Sequence, residues 1–485
     1  MSVFSELLKG YVDRCGVTVV SLAKQCGADR TTLHKIISGE RKPPGEDFVI
    51  KLSRLLMLSS AERDAFLEQY EISLVGDELY RRRRNVNAMI RKLSEVGEET
   101  LSEAESFYRS EPKTDETSSY YYGKQAVLQA VFSEVTADLM KGAPICIITQ
   151  PSERFLRFMK YALMFYKGSE IRHIFCLDNS AGDGGANDYN LDLFPKVCEL
   201  AVVFGNYRPM YYYDRVASHI NAASLLPIMV VGESFMFRAP FDIESAAIVR
   251  DRRAVDFSRK EFGRIAAMCY PFLERANGIS GMLGKGASYH DYSLTIDFQP
   301  TFVFSAYEEV IRKSFHFTEE QLGRFMERID YLKKRYLGRE YMDVFTAEGL
   351  RSFLRNGIIK ELPENICEPL PPGLRISMIE EIIGFCERGD YDFRVVENQY
   401  APLPRMRINM DADGTVHFVI RTKAGYVFLT VGEQSMGIAM RDYIDSLIET
   451  GKIYGRERSI ETMKDILASA KMSLAEVPDE DINKV

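Results

Sequence analysis

From Phe4 to Tyr70 the apolar residues return every three or four positions in short runs, each broken by a turn signal. That is the spacing of helices, not strands. Phe4, Leu7, Leu8, Tyr11 and Val12 predict a first helix ended by Gly16, and Val20, Leu22 and Ala23 a second ended by Gly27, because glycine readily takes the left-handed conformation that closes a helix. Asp29 then stands where an N-cap is needed. Its carboxylate can accept from the N–H of Thr31 or Thr32 and so start a third helix. Leu33, Ile36 and Ile37 face inward on that helix, which leaves Arg30, Thr31, His34 and Lys35 pointing outward. Ser38 to Pro44 closes it; Phe48, Leu52, Leu55 and Leu56 give a fourth helix, and Ala61, Ala65, Phe66 and Tyr70 a fifth over 59–75.

A basic run, Arg81 to Arg84, opens a segment with Val86, Met89, Ile90 and Leu93 at helical spacing, and an acidic, serine-rich stretch follows from Ser94 to Ser119. The apolar stripe suits either a dimer contact or a helix packed within the chain. The arginines suit phosphate contacts, a solvated helix face, or acidic partners in the same chain. After Tyr120 strands and helices alternate. Helix over 124–140, strand over 145–148, helix over 155–165 and strand over 171–177 predict a parallel pair joined by a crossover. A helix over 191–204, a strand over 210–213, a hairpin over 228–237, a strand over 246–249 and a helix over 257–273 complete this set. Residues 341–450 give strand, two helices, strand, a hairpin around Asp411 to Gly414, strand and helix, so the order of the later elements is repeated. The fold class is therefore multidomain, all-α and then α/β: a helical domain (1–75), a helical linker (76–120), two α/β domains (121–290 and 291–475) and a tail (476–485).

With 485 residues, 46% hydrophobic and 27% charged, the composition is that of globular material in two to four domains. No apolar run reaches the ~20 residues of a membrane span, and the N-terminus lacks a signal peptide's pattern, so the chain is expected in the cytoplasm. Eight cysteines, at 15, 26, 146, 176, 198, 269, 367 and 386, form no CxxC pair and read as buried free thiols. Six histidines stand far apart, and no metal or cofactor is expected. A net charge of −8 argues against wholesale coating of nucleic acid, although a compact basic module can still bind DNA. The glycine-rich Ala181 to Ala186 matches no phosphate-binding pattern and is acidic, which favours a surface loop. Tyr120 to Tyr122 and Tyr211 to Tyr213 suit either a pocket wall or rim packing.

The run Ser21 to Ile36, followed by Ser38 to Pro43, resembles the Cro/repressor (XRE-type) helix-turn-helix family over about the first seventy residues. Leu22 and Ala23 match its packing pair, Gly27 its turn glycine, and Gly39 to Pro43 its basic exit. Departures are Arg30 and Thr31 where amides are common in relatives, and Ile37 where an acid is usual. The resemblance implies a recognition helix that enters the major groove with Arg30, Thr31 and Thr32 nearest the bases. His34 shares its outer face, and Lys24, Lys35, Arg41 and Lys42 flank it for phosphates. Pro227 to Glu233, with Ser245 to Asp251, is similar to part of a phospholipase-D-like fold, present twice in degenerate form. Active members need a His-x-Lys pair and an Asp. Leu225, Pro227 and Gly232 hold those places in the first copy, and Pro402 and Pro404 stand near them in the second.

The expected function is therefore a sequence-specific transcriptional regulator, not an enzyme. It would bind a double-stranded DNA operator as a homodimer, with a C-terminal region that senses a small-molecule effector or holds the oligomer. The alternatives are a DNA-targeted phosphodiesterase or nuclease, and a protein-interaction scaffold in a phage-related or defence setting.

Overall fold

The computed structural model describes residues 2–95, 117–165, 168–179, 188–219, 227–277, 292–302, 318–336, 340–360, 368–422 and 425–475. They form two compact units, residues 1–85 and 86–485.

The first unit holds helices α1 (Val3–Cys15), α2 (Val19–Cys26), α3 (Arg30–Ile37), α4 (Glu46–Leu55) and α5 (Ser60–Val75), and the start of α6 (Asp77–Glu95). Leu8, Leu22, Leu33, Leu52 and Phe66 are fully buried and make its centre, with Phe4 stacked on Phe66 at 4.8 Å. Gly16 and Gly27 close α1 and α2 at φ 61° and 74°, backbone that a side chain would strain. Ser59 and Glu62 cap α5 reciprocally.

In the second unit the end of α6 is core. Val86, Met89, Ile90 and Leu93 are at most 3% exposed and join the main hydrophobic cluster, so of the two roles open to this stripe it fills the intrachain one. Arg91 donates to the Gln399 carbonyl at 2.8 Å, and the Ser94 hydroxyl accepts from Leu403 N–H at 3.3 Å. The arginine run is likewise engaged with acids of its own chain: Arg81 pairs with Asp77, Arg82 with Glu78, and Arg84 with Glu68.

Two mixed sheets follow. The first comprises β1 (Ser118–Tyr122), β2 (Ile145–Ile148), β3 (Ile171–Asp178), β4 (Tyr207–Asp214), β5 (Ile228–Val231), β6 (Met236–Ala239), β7 (Ser245–Val249) and β8 (Tyr270–Pro271). Helices α7 (Lys124–Met140), α8 (Glu153–Phe165), α9 (Asp188–Val203), α10 (Val216–His219) and α11 (Arg252–Ala266) lie between them in the chain. The second comprises β9 (Glu274–Asn277), β10 (Tyr292–Ile296), β11 (Met342–Thr346), β12 (Asp392–Val396), β13 (Met406–Asp411), β14 (Val416–Thr422) and β15 (Gly425–Val431). Its helices are α12 (Glu319–Tyr336), α13 (Ala347–Asn356), α14 (Pro372–Arg388), α15 (Gln434–Glu449) and α16 (Arg456–Ala475).

Apart from β8, which adds an antiparallel edge beside β4, strand order makes the second sheet a topological copy of the first: β4-β3-β2-β5-β6-β7-β1 in one, β12-β11-β10-β13-β14-β15-β9 in the other. In each, three parallel strands join an antiparallel meander closed by the strand that came first in sequence. Register extends the match to single residues. Ile147 pairs with His173 and Val230; Thr295 pairs with Asp343 and Asn409. The first sheet packs its crossover-helix face into the shared core through Ile147, Phe175 and Val230, whereas the second contributes its opposite face through Leu294, Ile408 and Phe418. The second sheet's crossover face carries a separate core with α12, α13, α14 and α16.

Three differences from the sequence reading have physical causes. The helix expected over 257–273 spans Arg252–Ala266 instead, and Pro271 beyond it sits in an edge strand, where its missing N–H is tolerated. The linker range 76–120 contains core residues and the start of β1, whose Ser-Tyr composition is polar because it is an edge strand. The chain also changes sheets at Glu274, ahead of the division expected after residue 290. The tail 476–485 and the glycine-rich 181–186 lie outside the described residues.

Candidate nucleic-acid interface

In the first unit the Asp29 carboxylate accepts from Thr31 N–H at 2.9 Å and from Thr32 N–H at 3.1 Å. This cap fixes where α3 begins. Leu33 and Ile36 anchor it at 0% and 1% exposure, so the eight-residue helix is held by one face only. Arg30, Thr31, His34 and Lys35 are exposed on the other face, and Thr32 is half-buried at its edge. Lys24 is exposed on α2.

The exit loop is tied down more than its composition suggests. Arg41 reaches back to the Thr32 hydroxyl at 3.4 Å, and Lys42 donates to the Leu74 carbonyl at 3.2 Å in the last turn of α5. Both remain exposed, while Pro43 is buried. Lys51, which the sequence reading passed over, donates to the Cys26 carbonyl at 3.1 Å and so steadies the end of α2. Its signal was available, since a cation favours a helix C-terminus. The eight expected residues therefore fall on one helix-turn-helix element: five exposed side chains, Lys24, Arg30, Thr31, His34 and Lys35, then Thr32 and Arg41 linked to each other, and Lys42 bound to α5.

In the second unit the places that a phospholipase-D-like site would fill carry other residues. Leu225 lies outside the described residues. Gly232 sits in the β5–β6 turn, where an added Cβ would meet the Asp138 carboxylate at 2.1 Å. Asp138 is fully buried and spends its oxygens on Glu233 N–H, Ser234 N–H and the Ser234 hydroxyl, at 2.6, 3.0 and 2.7 Å. It organises a turn. Pro227, Pro402 and Pro404 carry no acid, base or nucleophile.

Isolated titratable groups are paired locally. His173 is buried between the Tyr207 hydroxyl at 2.7 Å and the Thr149 carbonyl at 3.0 Å, and burial pushes its pKa down to about 4. His417 meets Asp411 at 3.0 Å and Thr430 at 3.1 Å, and His219 meets Asp214 at 2.9 Å. His290 and His316 lie outside the described residues, among which no group of three or more His, Cys, Asp or Glu could hold a metal. Seven cysteines are described, none in a disulfide, five of them buried. Tyr211 is buried in the core, and the Tyr213 hydroxyl donates to Glu433 at 2.6 Å, joining the two repeats. No helix among the described residues is long and apolar enough to cross a membrane.

Two cavities occupy the crossover faces of the two sheets. The first, about 250 Å³, is mostly apolar, with Val127, Val131, Phe155, Phe158, Val230 and Phe237 in its wall beside Lys124, Gln150 and Asp242. The second, about 130 Å³, is lined by Lys360, Arg405, Arg407 and Arg421 with Asp297 and several tyrosines.

No curated protein matches the chain. Among solved structures, the archaeal chromatin protein TrmBL2, described as showing a novel mode of DNA binding, aligns at 10% identity and TM-score 0.22. That alignment covers 56% of this chain and 94% of that one. Polyphosphate kinase from Porphyromonas gingivalis aligns at 10% identity and TM-score 0.21, over 69% of this chain and 50% of that one. Superpositions this loose carry no weight for fold or activity. The family comparison agrees with the geometry: residues 3–66 match the helix-turn-helix domain family, and the N-terminus is a helix-turn-helix segment of the DNA-binding type.

Proposed function

We propose that the chain is a sequence-specific DNA-binding transcriptional regulator of the XRE type. One observation carries the reading: α3 is capped by Asp29, anchored by Leu33 and Ile36, and presents Arg30, Thr31, His34 and Lys35 outward. Arg30 and Thr31 read base edges from the start of the helix. Lys24, Lys35 and Arg41 hold phosphates. Lys42 contributes by fixing the exit loop to α5, since its ammonium is already on the Leu74 carbonyl. Two-fold operators are met by a homodimer, and its contact lies outside the Val86-to-Leu93 stripe, which is interior.

The second unit is the sensing or assembly region. Its doubled strand order supports the reading of two degenerate phospholipase-D-like copies, and the residues at positions 227, 232, 402 and 404 favour a non-catalytic role. The test is binding of duplex DNA across a salt series. The parent is expected to bind with log K falling linearly in log salt, and the Arg30→Ala, Lys35→Ala variant to lose most of that affinity. Equal binding by both proteins would remove α3 as the contact.

A further inference from the structure

We propose that the cavity on the first sheet is a binding site for a small, uncharged, apolar molecule about the size of two fused rings. Its position is a property of the duplicated sheet. Ile228 and Val230 on β5 line this space, and the positions matched to them by register, Arg407 and Asn409 on β13, line the cavity of the second sheet. Each copy thus leaves a hollow over the same two positions, and the residues around it set what it can hold.

In the first copy the wall is apolar and the polar groups at its edge are already bonded within the chain. Val127 and Val131 of α7, Phe158 of α8, Val230 and Phe237 are all buried side chains of the lining. Gln150 donates to the Cys176 carbonyl at 3.2 Å and accepts from Cys176 N–H at 3.1 Å, so both ends of its amide are used. Lys124 pairs with Glu244 at 3.0 Å, Asp242 accepts from Glu244 N–H at 3.0 Å, and the Ser152 hydroxyl accepts from Phe155 N–H at 3.3 Å. An ionic ligand would give up its water here for little in return. An apolar one gains by leaving water.

The turn between β6 and β7 is a second, independent observation. Phe241 and Ile243 of that turn complete the lining, and Ile243 does so at φ 55°. A β-branched residue in left-handed backbone is an outlier, and strain of this kind persists where the surroundings hold it and gathers at ligand clamps. Here Ile243 packs, partly buried, against the main core. Size sets the rest. The space of about 250 Å³ exceeds the ~150 Å³ that suffices for a benzene-sized group, which admits a second fused ring. Wall atoms that face a void forfeit dispersion contacts, and a ligand of that shape restores them.

The inference gives the sensing region its ligand class, and rests on the regulator reading only for the consequence of binding, not for binding itself. The test is therefore made without DNA: calorimetric titration of the full chain with indole, toluene and benzoate. Indole is expected to bind most tightly, toluene more weakly, and the charged benzoate least. Val131→Phe and Val131→Trp fill the hollow from α7. Both should weaken indole by about tenfold or more, and the smaller change should keep or raise the parent's melting temperature. No heat with indole at millimolar concentration, benzoate bound as tightly as toluene, or indole binding unaltered by both variants would overturn the proposal. So would a melting temperature lowered by both, since a space already filled by the chain has no room for either side chain. Loss of DNA binding by the Arg30→Ala, Lys35→Ala variant leaves these titrations unchanged, so the two readings fail separately.

Discussion

Asp343 offers the sharpest test of the second unit's interior. It is 0% exposed, and burial pushes its pKa up to about 7; Thr301 and the positive charge of Arg407 act against that rise, while Asp297 adds to it. The unfolded value is the ordinary 3.8. Between the two, the folded chain holds a proton that the unfolded chain has lost, so stability is greatest at low pH and falls as pH rises toward 7, by about 1.4 kcal/mol per unit. Above 7 both states are ionised and the decline ends. Asp343→Asn keeps the shape of the protonated acid and cannot ionise. The variant should therefore gain on the parent by about 2–3 kcal/mol between pH 5 and pH 8. For a unit of this size that is about 3 °C in the calorimetric transition. Calorimetry of parent and variant across that range reads the difference directly, because other titrations cancel. A difference that stays constant with pH, or shrinks as pH rises, would refute the placement of Asp343.

Three further outcomes are expected. Asp29→Ala removes both N–H contacts at the start of α3 and should cost the first unit about 1 kcal/mol, read as an earlier urea midpoint with the second unit's transition unmoved. Gly349→Ala would put a Cβ 1.6 Å from the Phe298 carbonyl oxygen. Because that neighbour is backbone, α13 must shift, and a loss of about 1–3 kcal/mol or more is expected; a melting temperature equal to the parent's would contradict the close approach. Leu93→Ala should cost about 2–5 kcal/mol by the same amount at low and high protein concentration, since Leu93 is interior. A loss that grows on dilution would mark a subunit contact instead.

Legibility in the sequence followed the strength of local signals. The first unit announced itself because caps, turn glycines and helical spacing coincide: Gly16, Gly27 and Asp29 act in the structure as their positions suggest. Strands such as Ile145–Ile148 and Tyr207–Asp214 stood out as apolar or aromatic runs. Edge strands did not, because Ser118–Tyr122 and Glu274–Asn277 need no apolar face on both sides. Helix α12 was missed although Leu322, Phe325, Ile329, Leu332 and Tyr336 fall at helical spacing, its many charges diluting the pattern. The cationic cavity was hidden for another reason. Arg405, Arg407 and Arg421 alternate along a hairpin, as solvated strand residues also do, and only the pairing of β13 with β14 and the cover of α12 turn them toward one space.

The central claim is that α3 reads a particular DNA sequence, and selection of fragmented genomic DNA by the full chain at physiological salt tests it most directly. The parent should enrich one or a few two-fold sites, and the Arg30→Ala, Lys35→Ala variant none. Enrichment of the same sites by both proteins, or of no site by either, would contradict it.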